Sequence, residues 1–367
     1  MVSWKLLISS LVLQAAMANS HAVPGGKHRT RSLSHCDEVL KQRGVAQQMA
    51  SRRAEKIKTE RKKRNMDEKA PLLNARSFYS SLATNHNVTY AGYNLNTPEQ
   101  VLFANYSDAC VLGQETTYGP YYVTGELIRS DIVDGEAGVP LHMEVQFIDY
   151  KTCEPVTGIY VDTWHCNSTG IYSGVVDEVV SKASDLDTTF FRGIQTTDDL
   201  GVVSFDTKFP GHYPLRATHV HILVHQNATL LPNNTLQLNS GNISHVGQIF
   251  FDQDLINLVD TVEPYSSNTN KMVQNADDGV MYVEADGMDP VARYTFVGDT
   301  VSEGLVAWAV FGIDTDANYN DVVQAASYYG EDGGEANAEY NLTKLGALEE
   351  VPSSFSGPTT FTTTVGV

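Results

Sequence analysis

From about residue 105 to 325 the chain alternates apolar and polar positions in short runs. In LHMEVQFID (141–149), Leu141, Met143, Val145 and Phe147 fall on every second position, the period of a strand with one face buried. GIYVDTW (158–164), GVVSFDTKF (201–209), THVHILVH (218–225), VGQIFFD (246–252) and GLVAWAVFGID (304–314) read the same way. Clusters of Gly, Pro, Asn and Asp between them supply turns. No long run of helical period interrupts this series. The pattern predicts an all-β domain over 105–325, a two-sheet antiparallel β-sandwich rather than a parallel α/β sheet. Helical spacing surfaces in KQRGVAQQMASRRAEKIKTERKKR (41–64), where Val45, Met49 and Ile57 recur at roughly that period. An N-terminal helical segment is therefore expected over 19–66, followed by a connector over 67–104. Residues 326–367 read as a C-terminal extension whose last part, SSFSGPTTFTTTVGV (353–367), is too rich in Ser and Thr to pack.

The first residues, MVSWKLLISSLVLQAAMA, place Lys5 before an apolar run too short to span a bilayer, with Ala16 and Ala18 in an A-x-A pattern. Residues 1–18 thus read as a secretory signal peptide, Ala22 offering a second cut point, and a secreted, extracellular protein is expected. No other stretch is apolar and long enough to cross a membrane. Seven N-x-S/T sequons, at Asn87, Asn105, Asn167, Asn227, Asn233, Asn242 and Asn341, suggest that several exposed loops carry glycans. The four cysteines, Cys36, Cys110, Cys153 and Cys166, are an even count for an oxidising compartment, so two disulfides are expected. Cys153 and Cys166 bracket one predicted strand and are the preferred pair. Cys36 with Cys110 follows by elimination, and the connectivity stays open.

The net charge of −19 is unevenly spread: residues 1–66 hold 14 Lys/Arg against 4 Asp/Glu, and the remainder 11 against 40. So acidic a body excludes nucleic-acid binding, which draws its affinity from a basic surface. The basic run over 41–64 reads as a solvated helix packed on the domain, the other reading being a pro-segment cut after Lys63-Arg64.

Candidate chemistry concentrates in PGHYPLRATHVHILVH (210–225). On a strand, His219 and His221 share one face while Val220, Ile222 and Val224 share the other, so the apolar face belongs to a core and the histidine face to something else. Two histidines at i and i+2 can chelate one metal ion. Tyr213 and Arg216 lie just upstream, and Tyr172 sits in the Gly-rich turn of WHCNSTGIYSG (164–174). A Lewis-acidic cation can bind a phenolate, and hard oxygen donors beside imidazoles point to ferric iron more than to zinc or copper. The chain has no P-loop and no H-E-x-x-H, and GIYSG (170–174) carries its serine one place too late for G-x-S-x-G.

Taken together, T-x-GPYYVTGE (117–126), VDTWHCNSTGIYSG (161–174), FFRGIQTTDDLGVVSFDTKFPGHYPLRATHVH (190–221) and GQIFFDQD (247–254) resemble the intradiol ring-cleavage dioxygenases, most of all secreted fungal members. The resemblance covers about 105–325. It implies the two-sheet β-sandwich of that family, Fe(III) held by Tyr172, Tyr213, His219 and His221, and a catechol-type substrate cleaved with O2 between its hydroxyl-bearing carbons to a cis,cis-muconate-type diacid. It also implies that Tyr213 leaves the metal when substrate binds and acts as base, that Arg216 faces the substrate ring, and that Gln248 helps hold the substrate. Departures are Arg-Ala-Thr (216–218), where many relatives have Arg-Pro-Ala, and three sequons between His221 and Gln248. The N-terminal segment is unlike the family's helical dimerisation region, so the oligomeric state, a homodimer included, stays open.

The rival readings are a catalytically silent sandwich that binds aromatics or glycans, and a different metalloenzyme at the same site, such as a zinc hydrolase. His165, His212, His225 and His245 are expected as surface histidines, Trp164 as core, and Asp162 as a structural hydrogen-bonding residue. Tyr118, Tyr121 and Tyr122 are placed near the cavity without a catalytic role.

Overall fold

A computed structural model describes residues 84–89, 115–149, 151–152, 154–285 and 289–340, with scattered positions between 39 and 63. The leader, most of the connector, Cys36, Cys110, Cys153, Val45, Met49, Ile57 and the Ser/Thr-rich tail lie outside the described residues.

Among the described residues the eleven strands are β1 (Val123–Thr124), β2 (Pro140–Asp149), β3 (Tyr160–Trp164), β4 (Arg192–Thr196), β5 (Val202–Lys208), β6 (His219–Gln226), β7 (Asn242–Phe250), β8 (Arg293–Phe296), β9 (Leu305–Ile313), β10 (Ser327–Gly330) and β11 (Gly333–Ala336). Two short helices, α1 (Gln253–Val259) and α2 (Gly279–Glu284), follow β7. One four-stranded sheet runs β5-β2-β9-β8 and the other β4-β3-β6-β7. Val145, Phe147, Val161, Val220, Ile222, Val224 and Phe311 fill the core between them. The expected all-β sandwich is therefore what the chain forms. Two pairings differ from the antiparallel expectation: within the sandwich β2 lies parallel to β9, and outside it β1 lies parallel to β10. Nothing in an alternating strand records its neighbour's direction, and some 155 residues of chain between β2 and β9 are long enough for the crossover a parallel pair needs.

β10 and β11 form a hairpin that pairs with β1 in a small third sheet. The boundary expected at 325 thus falls where the chain enters a sheet, so 327–336 belong to the packed body. Three described basic residues of the N-terminal segment meet acids of the body on β2, β5 and the turns beside them. Arg43 reaches Glu154, Arg52 reaches Glu144 and Asp198, and Lys56 reaches Asp206 at 3.3 Å. Among the described residues no helix is long and apolar enough to cross a membrane.

Cys166 is a free, buried thiol, and the expected Cys153–Cys166 disulfide does not form at that cysteine. Its Sγ donates to the Gly211 carbonyl at 3.4 Å, and burial pushes its pKa up to about 12. The physical reason is the strand between the two positions. Glu154, next to Cys153, pairs with Asp149 at the end of β2, whereas Cys166 lies past the far end of β3.

Candidate functional site

Strand alternation puts the side chains of β6 on two sides as expected: Val220, Ile222 and Val224 enter the inter-sheet core, while Leu223, between the two histidines and His225, joins a second apolar cluster on the outer face. His219 and His221 project on that outer face. The His219 Nδ1–H donates to the Ala217 carbonyl at 2.6 Å, which leaves its Nε2 as an acceptor. This Nε2 stands 3.0 Å from the Nε2 of His221 and 3.3 Å from the Tyr213 hydroxyl. The ring of Tyr172 sits 5.4 Å from that of Tyr213, edge to face.

The loop carrying Tyr172 is held by its own polar groups. Asn167 Oδ1 accepts from the backbone N–H of Thr169 and Ile171, and the Tyr172 N–H donates to Val180 O at 2.7 Å. Gly170 lets this loop meet the one that bears Tyr213. Its φ is +84°, and a Cβ there would lie 2.5 Å from the His212 carbonyl oxygen and 3.1 Å from the Tyr213 Cβ. Glycine is thus what brings the two phenols together. On the opposite side Gly119, with φ +68°, crosses over the His221 ring.

Both phenols are buried, and burial pushes the pKa of each well above its ordinary value, so alone they stay protonated. The Tyr172 hydroxyl is buried without a well-formed hydrogen bond, and the Tyr213 phenol beside it pushes its pKa further up. Two imidazole nitrogens facing each other at 3.0 Å, with phenols completing the cluster, is what a cation requires. Metal–nitrogen bonds of about 2.1 Å at right angles would place two ligand atoms roughly 3.0 Å apart. The residues therefore fit a metal, and the oxygen donors select a hard one. Among the described residues no three His, Cys, Asp or Glu side chains converge on a metal-sized space, so the phenols are indispensable to this donor set.

Beside the cluster stands a buried polar network. The β6–β7 register sets Gln248 directly opposite His221, on the same face. Arg216 donates through Nη2 to Gln248 Oε1 at 2.6 Å and through Nε to Asp278 Oδ2 at 2.9 Å. Gln248 in turn donates through Nε2 to Thr117 O at 3.0 Å, and its backbone N–H donates to Glu284 Oε1 at 2.6 Å. All six residues singled out from the sequence, Tyr172, Tyr213, Arg216, His219, His221 and Gln248, are thus drawn into one contiguous site.

Several residues of this site carry no signal in the sequence. Asp278 accepts hydrogen bonds from the backbone N–H of Ala217, Val280 and Met281 as well as from Arg216. Burial alone would raise its pKa, but the guanidinium and these donors hold it down at about 2. Glu284, at the end of α2, is pushed far upward by burial. In NADDGVMYVEADG (275–287) these acids look like a solvated turn. Tyr121, expected near the cavity, packs on Tyr172 with 4.7 Å between ring centroids. Arg192 places its guanidinium 6.0 Å from the Tyr172 ring centroid and donates to Ser173 O, fixing the residue next to Tyr172.

Trp164 is core, as expected, and also stacks on the His221 ring at 4.8 Å and 3°. The expectation of surface histidines is corrected for three of the four. His165 and His245 are fully buried and His212 nearly so, with His225 partly covered. Each of the three finds a specific partner: Thr207 Oγ1 and Cys166 O for His165, Asn270 O for His212, Glu115 for His245. Burial takes the pKa of His165 down to about 4, so it stays neutral.

Residues 118–296 match a family model described as dioxygenase. Comparison with curated proteins returned no match. Among solved structures the chain is similar to an intradiol ring-cleavage dioxygenase from Tetranychus urticae, with 31% identity over 57% of this chain and 98% of that one, at a TM-score of 0.49. A catechol 1,2-dioxygenase from Acinetobacter sp. ADP1 matches at 20% identity over 61% of this chain and 70% of its own, with a TM-score of 0.37. A hydroxyquinol 1,2-dioxygenase from Pseudomonas putida DLL-E4 matches at 17% over 58% and 70%, with a TM-score of 0.35. The family match spans both tyrosines, both histidines, Arg216 and Gln248, so residues 118–296 carry a domain of that dioxygenase family.

Proposed function

We propose that this protein is a secreted Fe(III) dioxygenase that opens catechol-type rings between their two hydroxyl-bearing carbons, with Tyr172, Tyr213, His219 and His221 as the iron ligands. The observation that carries this reading is the convergence of those four side chains beside Arg216 and Gln248. The leader-like 1–18 and the exposed sequons at Asn227, Asn233 and Asn242 support the extracellular assignment.

Bound Fe(III) would supply the Lewis acidity that draws both oxygens of a diol and makes the ring reactive toward O2. The chain's own residues do the rest. His219 is held in one tautomer by Ala217 O, so its Nε2 lone pair is always presented to the site. With Fe(III) bound, Tyr213 would be held as phenolate, and its Oη would accept one substrate hydroxyl proton, burial favouring the phenol once it has done so. Arg216 keeps its charge because Asp278 offsets its burial. A fixed guanidinium in a dry site stabilises negative charge as it develops on the ring and its oxygens. Gln248, clamped between Arg216 and Thr117, orients the substrate without carrying charge. Trp164 and Tyr121 exclude water from behind His221 and Tyr172.

The test is purified protein with metal analysis, a visible spectrum, and O2 uptake on catechol, hydroxyquinol and protocatechuate. One iron per chain, a red-brown tyrosinate band and a cis,cis-muconate-type product are expected. His221→Ala should lose the iron. Stoichiometric zinc without a visible band would overturn the metal assignment. Substrate-induced spectral change without O2 consumption would leave a binding protein instead.

A further inference from the structure

The sheet face that carries His219 and His221 continues along β6 and β3 to a second chamber. A cavity of about 260 Å³ lies between this face, the loop 227–241 and the small sheet of β1, β10 and β11. It is separate from the four-donor cluster. Tyr122 lines the cavity and packs on Trp164 at 5.2 Å, and Trp164 in turn stacks on His221, so two aromatic rings form the wall between the chambers.

The floor is polar and incompletely paired. Asp162, 2% exposed, points its Oδ2 at the Nε2 of His225 across 3.7 Å, too long for a hydrogen bond. That Nε2 has no hydrogen-bond partner, and neither does the Thr124 Oγ1 on the wall. Buried polar atoms in folded proteins are nearly always paired, and a gap of this length is the kind a bridging hydroxyl closes. A hydroxyl seated over the pair can accept from the imidazole and donate to the carboxylate.

Charge and shape narrow the ligand. No Lys or Arg lines the cavity, so an anion, the diacid product of ring cleavage included, would meet Asp162 with no counter-charge. The sides offer the amides of Gln237 and Asn239, while Tyr328 at the rim is 37% exposed and presents a flat apolar face. A carboxylate, an imidazole, amides and a hydroxyl around a small cavity, with an aromatic ring at its mouth, match the vicinal hydroxyls and the C–H face of a sugar ring. We propose that this chamber is a saccharide site, one ring deep, with Asp162 and His225 sharing one ring hydroxyl between them and Tyr328 covering the apolar face.

Two sources carry the same chemistry. One is a saccharide from outside. The other is the protein's own N-glycan, since the sequons at Asn227 and Asn242 adjoin Ala228 and Ile243 of the cavity lining. The experiment uses the full chain with and without enzymatic removal of N-glycans. Glucose, galactose, mannose, xylose, N-acetylglucosamine and their common disaccharides are tested by saturation-transfer NMR and calorimetry. At least one sugar should bind the deglycosylated chain. Asp162→Asn and the surface variant Tyr328→Ala should each weaken binding about tenfold or more, the loss expected for one charge-assisted hydrogen bond or one stacking face, with O2 uptake unchanged. Binding to both forms of the chain identifies an external saccharide. Binding only after deglycosylation identifies the protein's own glycan as the resident ligand. The proposal is overturned if no sugar of the panel binds the deglycosylated chain, if Tyr328→Ala leaves the affinity unaltered, or if catechol displaces the sugar from the chamber.

Discussion

Replacing Arg216 by alanine separates the electrostatic work of the site from its metal chemistry. Arg216 directs its hydrogen bonds to Gln248 and Asp278 rather than to the four donors. The variant should therefore keep its iron and its colour. Removing one preorganised charge stabiliser costs on the order of 10²–10³ in rate, or about 3–4 kcal/mol in the transition state. The structure adds a second cost. Asp278 is fully buried, and without Arg216 its carboxylate loses its charge partner, a change that typically destabilises by about 3–5 kcal/mol. Three backbone N–H groups, from Ala217, Val280 and Met281, continue to satisfy it at 2.7–2.9 Å, which puts the cost at the lower end, about 3 kcal/mol. For a domain of this size that is a fall in Tm of roughly 6–12 °C. The assay is iron content, the visible band, thermal melting and O2 uptake on one preparation. Arg216→Ala/Asp278→Asn should recover much of the lost Tm and none of the lost turnover. Normal turnover in Arg216→Ala would refute the placement of this guanidinium against the substrate. A bleached protein would refute its independence from the metal.

His86 sits between Asp252 at 2.6 Å and Asp289 at 2.5 Å, and although burial opposes its charge, the two carboxylates raise its pKa to about 9. Its contribution, up to about 3 kcal/mol, is fully present below its unfolded pKa near 6.5 and fades as pH rises through 9, so Tm should fall over that window and His86→Gln should flatten the decline; parallel curves for the two proteins would sink this. Gly170→Ala should destabilise by at least about 2 kcal/mol and disturb the tyrosinate band, because φ +84° and the His212 carbonyl leave no room for a Cβ; an unchanged spectrum would show that this glycine does not set the distance between the phenols. Cys166 should resist thiol reagents in the folded protein and react on unfolding without any reductant, since it is buried and free; a requirement for reductant would restore the disulfide. Gln248→Ala should slow turnover less than Arg216→Ala, because a neutral hydrogen bond contributes less than a charged one.

Local pattern determined a good deal of this protein. Two-residue alternation identified β2, β3, β5, β6, β7 and β9, and on β6 it separated His219 and His221 from Val220, Ile222 and Val224 before any partner was known. That separation follows from backbone geometry alone, which is why it is legible along the chain. The spacing of the two histidines, with Tyr213, Arg216 and Tyr172 nearby, carried most of the candidate site, and the family resemblance added Gln248. Tertiary structure decided what depends on distant partners. The β6–β7 register places Gln248 opposite His221, and Asp278 closes on Arg216 from 62 residues away. The same packing buries His165, His212 and His245, holds Cys166 apart from the turn that precedes β3, and pairs β2 with β9 in parallel. A residue's type constrains what it can bond, but only the packing of one sheet on the other determines which bonds water is excluded from. Acids that nothing in the sequence singled out, such as Asp278 and Glu284, therefore became buried members of the site.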